Sequence, residues 1–95
     1  MDTQSIVSRA LGIEFDSVSG TFQQEYELKQ AIASRWKAAE TEPFEMGAML
    51  LELRDLLCLA GRSGEFKLWL KKHRIPQRAA FRLISFFEPN VASDN

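Results

Sequence analysis

The sequence predicts an all-α protein, a small bundle of about five helices with a helix-turn-helix-like unit at its C-terminal end. Three observations carry this. Apolar residues recur at spacings of three and four in every long segment; no segment alternates apolar and polar residues long enough to argue a sheet; and proline and glycine stand where helices start and stop.

The first helix is expected over residues 3–11, ended by Gly12, with residues 16–20 as a loop. Thr21 and Gln24 form the pattern of a capping box, and Leu28, Ile32, Trp36 and Ala39 follow on one face, which predicts a helix from residue 21 to about residue 40. Pro43 suits a first turn, where a missing N–H costs nothing. After it, Met46, Met49, Leu50, Leu53, Leu56, Leu57 and Ala60 make a wide apolar stripe over residues 43–60, with Gly61 as a left-handed cap. These two long helices read as an antiparallel hairpin. Ser63 is the expected N-cap of a fourth helix running to about residue 73, with Phe66, Trp69 and Leu70 inward. Pro76 biases Ile75 away from helical geometry and then opens a last helix over residues 76–87, which Glu88, Pro89 and Asn90 stop.

With 95 residues, the chain fits one domain: an acidic helical part over residues 1–61, a basic unit over 62–88 and a frayed tail over 89–95. The overall charge of −1 hides a segregated molecule. Residues 1–61 carry five basic and ten acidic residues. Between Arg62 and Arg82, seven basic residues face a single acid, Glu65. The longest apolar runs, such as residues 46–51, fall far short of the roughly 20 residues of a membrane helix, and no basic-then-apolar leader is present, so a cytoplasmic protein without membrane contact is expected.

Material for an enzyme is poor. His73 is the sole histidine, stands in a basic run and has no neighbouring acid to orient it as a base. Cys58 is the sole cysteine and is expected to pack as a small hydrophobe. One His and one Cys do not make a metal site, the glycines form no phosphate-cradling loop, and Glu25, Glu27, Glu40, Glu42 and Glu45 read as the solvated face of the long helices. No catalytic residue, metal or cofactor is expected.

The basic unit fits duplex DNA instead. A helix-turn-helix braces its first helix on the phosphates and presents exposed residues of its second to base edges. Here Ile75 takes the buried corner position, and Ala80, Leu83, Ile84 and Phe87 form the inward stripe. Gln77, Arg78, Phe81, Arg82 and Ser85 are left outside. Gln and Arg match adenine and guanine edges, while Lys71, Lys72 and Arg74 suit phosphates. Two features depart from the pattern: Arg74 stands where glycine is customary, and Phe81 would expose a large ring unless it met a thymine methyl or a protein surface.

From Phe44 onward, the long apolar helix, the G-x-F-x-x-W-L of Gly64, Phe66, Trp69 and Leu70, and the R-x-A-x-R of Arg78, Ala80 and Arg82 resemble a family of uncharacterised bacterial proteins carried largely on phage and plasmid genomes. The resemblance covers about half the chain and implies a helix-turn-helix-like C-terminal unit and a mobile-element background. The family more often has a small polar residue at the places of Ala79 and Phe81.

The expected function is therefore a DNA-binding regulator. A homodimer is also expected, because one recognition helix reaches too few base pairs and because Phe22, Tyr26, Trp36 and Phe44 are more aromatic surface than a small core hides. The alternative is a protein-interaction module of phage or plasmid origin that docks on an acidic or nucleic-acid-mimicking partner through Phe81, Phe86 and the basic face.

Overall fold

The computed structural model describes residues 3–12, 22–40 and 42–88. These form five helices: α1 (Thr3–Leu11), α2 (Phe22–Lys37), α3 (Pro43–Leu59), α4 (Gly64–Lys72) and α5 (Gln77–Ile84). Among the described residues there is no strand, and no helix is long and apolar enough to cross a membrane.

The organising element is α3. Its apolar residues were expected as a stripe, but every position from Met46 to Leu53 is buried, glycine and Glu52 included, so the helix is enclosed on all sides through its middle. Helices α1, α2 and α5 pack on it, and α4 closes over its C-terminal part. The chain directions follow from the polar ties. Arg35 near the end of α2 reaches Glu45 near the start of α3 at 3.1 Å, while Arg62 just past α3 reaches Glu25 near the start of α2, so the two long helices are antiparallel as expected. Thr3 Oγ1 donates to the buried Glu52 carboxylate at 3.1 Å, and Arg35 also donates to the Ala10 carbonyl, which sets α1 antiparallel to α3 as well.

α5 crosses α3 at Gly47. A β-carbon there would lie 2.5 Å from the Leu83 carbonyl oxygen, so only glycine permits this approach. Phe44 and Phe87 close one side of the crossing with ring centres 4.9 Å apart. Arg54 holds Glu88 through bonds of 2.8 and 2.9 Å, fastening the segment that follows α5.

Three helices end in the same way. Glu40, Arg62 and Ile75 each donate their N–H to the carbonyl five residues back, with Ala39, Gly61 and Arg74 left-handed at φ 59°, 73° and 59°, the pattern of a Schellman cap. Gly61 fulfils its expected role. Ala39 does not fall on the inward face of α2 as expected, because that helix stops at Lys37 and Ala39 turns outward in its cap. Other local expectations also change. Ser63 is helical at φ −58° and ψ −30° and makes no capping bond, whereas Glu42, exposed as expected, also caps α3 by accepting from the Phe44 and Glu45 amides. Pro76 precedes α5 in extended geometry at ψ 129° rather than opening it, and α5 ends at Ile84. Cys58 and Ala60 are exposed where packing was expected, although Leu56 and Leu57 in the same turn of α3 are buried. Thr21, the loop over residues 16–20 and the tail over 89–95 lie outside the described residues, as does the Phe22 side chain.

Candidate functional site

The surface that concentrates unspent charge is the unit α4–corner–α5. Helix α4 buries Phe66, Trp69 and Leu70 and leaves Lys67, Leu68, Lys71 and Lys72 exposed. Its last turn runs into the corner over residues 73–76. There the Arg74 amide donates to the Lys71 carbonyl at 3.1 Å and the Ile75 amide to the Leu70 carbonyl at 2.9 Å. Ile75, 2% exposed, packs into the core beside Leu70, which is the apolar contact that accompanies this type of cap. The corner therefore uses the left-handed residue that the pattern wants, supplied here by Arg74 rather than glycine.

Helix α5 buries Ala80, Phe81 and Ile84, with Leu83 and Phe87 partly buried beside them. Phe81 corrects the sequence-based assignment: it is 8% exposed, and its ring lies 6.1 Å from that of Phe66, so it belongs to the core and not to the outward face. Phe66 on α4 decides this, because it gives the ring an aromatic surface to cover and so rotates the inward arc of α5 toward α4. Gln77, Arg78 and Arg82 remain exposed, with Gln77 and Arg78 in the first turn. The Ser85 hydroxyl donates to the Arg82 carbonyl and is half-buried.

Apart from Arg9 and Lys37, which are exposed outside the basic unit and form no ion pair among the described residues, the cations divide into two groups. Lys29 pairs with Glu25 at 2.8 Å, Arg35 with Glu45, Arg54 with Glu88 and Asp55, and Arg62 with Glu25 and Glu65. Arg62 thus leaves the basic unit to which sequence assigned it and becomes a tie to α2. By contrast, Lys67, Lys71, Lys72, Arg74, Arg78 and Arg82 are all exposed, and none has an acidic partner among the described residues. Positive charge is thereby concentrated on one part of the surface.

The acids follow the same logic. Burial pushes the Glu25 carboxyl up, but hydrogen bonds from Lys29 and Arg62 outweigh it and hold the group below its ordinary value. Asp55 goes the other way: burial raises its carboxyl more than Arg54 lowers it, while nearby Glu88 adds repulsion. Arg54 spends its two-oxygen contact on Glu88.

His73 caps the end of α4 and lies against the Trp69 ring, with centres 4.8 Å apart. A cleft of about 630 Å³ separates it from the end of α2, lined by Gln30, Trp36 and Lys37 among others. A second groove of about 480 Å³ runs along the corner, lined by Lys67, Leu68, Lys71 and Arg74 together with Ile75, Pro76 and Gln77. No group of three His, Cys, Asp or Glu side chains able to hold a metal ion occurs among the described residues. Compared with family models, curated proteins and solved structures, the chain matches none, so the resemblance to phage and plasmid proteins stands on its quoted residues alone.

Proposed function

We propose that the protein is a small cytoplasmic DNA-binding regulator of bacterial mobile-element background, which sets the start of α5 in the major groove of duplex DNA and acts as a homodimer. The observation that carries this reading is the set of six exposed cations on α4, the corner and α5 that have no acidic partner among the described residues, adjoining Gln77 in the first turn of α5. Gln77 and Arg78 would read base edges, with Arg82 one turn on; Lys71, Lys72 and Arg74 would hold phosphates. The burial of Phe81 supports the reading, since it removes a large apolar ring from the face that would enter the groove. Tyr26, 58% exposed on α2, and Phe44, 38% exposed on α3, supply apolar surface for a second copy.

Selection from a random duplex pool, followed by anisotropy on the enriched site, tests the assignment. Arg78→Ala should weaken binding by about 1–3 kcal/mol and relax base preference at one position. Unchanged affinity would take Arg78 out of the groove. Sedimentation at high micromolar concentration should give a dimer, and a monomer there rejects the two-fold arrangement.

A further inference from the structure

The groove along the corner contains something that phosphate binding does not use. Leu68 stands on the outer face of α4 with 67% of its surface exposed, and it lines the groove together with the exposed Lys67 and Lys71. Beside it, Leu70, Ile75 and Pro76 give the groove an apolar wall, and Lys67, Lys71 and Arg74 rim it without any acidic partner among the described residues. A leucine gains nothing from a phosphate, whereas an apolar strip flanked by cations is complementary to a segment that carries carboxylates around an apolar side chain.

We infer that this groove docks an acidic protein segment, whose apolar anchor covers Leu68 and the Ile75–Pro76 wall while its carboxylates pair with Lys67, Lys71 and Arg74. The mode is that of an amphipathic helix in a groove. The volume, about 480 Å³, accommodates anchoring side chains rather than a folded domain. Lys71, Arg74 and Gln77 belong both to the groove and to the DNA-contacting set, so a docked segment and duplex DNA exclude one another. The partner is then a releasing factor, and this second step rests on the DNA-binding reading.

The test uses the full chain and two labelled synthetic peptides of equal length and equal negative charge, one with Glu and Leu at helical spacing and one with each Leu replaced by Ser. The Leu peptide should bind about tenfold tighter, the scale of burying an apolar side chain. Leu68→Ser should abolish that preference while its thermal melting and its affinity for duplex DNA stay unchanged. Unlabelled Leu peptide should displace a labelled duplex. Equal binding of the two peptides, no binding of either, or a preference that survives in Leu68→Ser overturns the docking site. Peptide binding that leaves the duplex in place overturns the exclusion. Should the peptide preference hold while no duplex binds at all, the groove stands and the DNA-binding reading falls.

Discussion

Replacing Arg74 by glycine separates the fold of the corner from its proposed function, because the two should move in opposite directions. Arg74 is left-handed at φ 59°, a conformation that costs a residue with a β-carbon about 1–2 kcal/mol. Glycine removes that cost but gives up about 0.5–1 kcal/mol of backbone entropy, leaving a net stabilisation of about 1 kcal/mol. For a domain of this size, that corresponds to a rise in Tm of about 4–8 °C. The same substitution deletes a cation assigned to a phosphate, so the log–log salt dependence of duplex binding should flatten by about 0.9 per protomer. Ala39→Gly is the matched control: it has the same φ of 59° at the end of α2, so it should stabilise similarly and leave binding untouched. Thermal melting and salt-titrated anisotropy on the three proteins decide it. An Arg74→Gly protein that melts lower than the parent refutes the account of the corner, and an unchanged salt slope removes Arg74 from the contact set.

Gly47→Ala should destabilise by about 1–2 kcal/mol, because a β-carbon striking the Leu83 backbone outweighs the gain of about 1 kcal/mol in helix propensity. A higher Tm would mean that α5 does not cross α3 there. Phe81→Ala should cost about 3 kcal/mol or more in denaturant unfolding, as for a buried aromatic, whereas a ring on the outer face would cost little. For Glu25, the folded-state value lies below the ordinary 4.5, so its contribution is fully present above that pH and is lost as pH falls through the lowered value. Glu25→Gln should accordingly be less stable than the parent at neutral pH, with the gap closing below pH 4.5; a gap independent of pH would contradict the pairing with Lys29 and Arg62.

Helix placement was largely legible in the sequence, since Gly12, Pro43, Gly61 and Pro76 punctuate it and stiff local rules operate at such residues. What sequence missed depends on neighbours that are distant along the chain. The inward arc of α5 is ambiguous over eight residues, and Phe66 on α4 settles where Phe81 goes. Arg62 reads as part of a basic run until Glu25, 37 residues away, claims it. Gly47 looks like an ordinary helix residue until α5 lies across it. Left-handed Ala39 is invisible to rules that look for glycine, whereas the corner pattern did place Arg74 at the left-handed position, where the buried packing that follows through Ile75 overrides the local preference. At the candidate site, the cations Lys71, Lys72, Arg74, Arg78 and Arg82 and the polar Gln77 emerged exposed as expected. The groove beside Leu68 did not announce itself, since a single outward leucine on a short helix carries no periodic signal.

The central claim is that α4, the corner and α5 form a surface for duplex DNA, and titrating binding to a random-sequence duplex with salt tests it most directly. Neutralisation of about five phosphates predicts measurable binding at low salt, with a log–log slope near −4 to −5. No binding at low salt, or binding indifferent to salt, would contradict it.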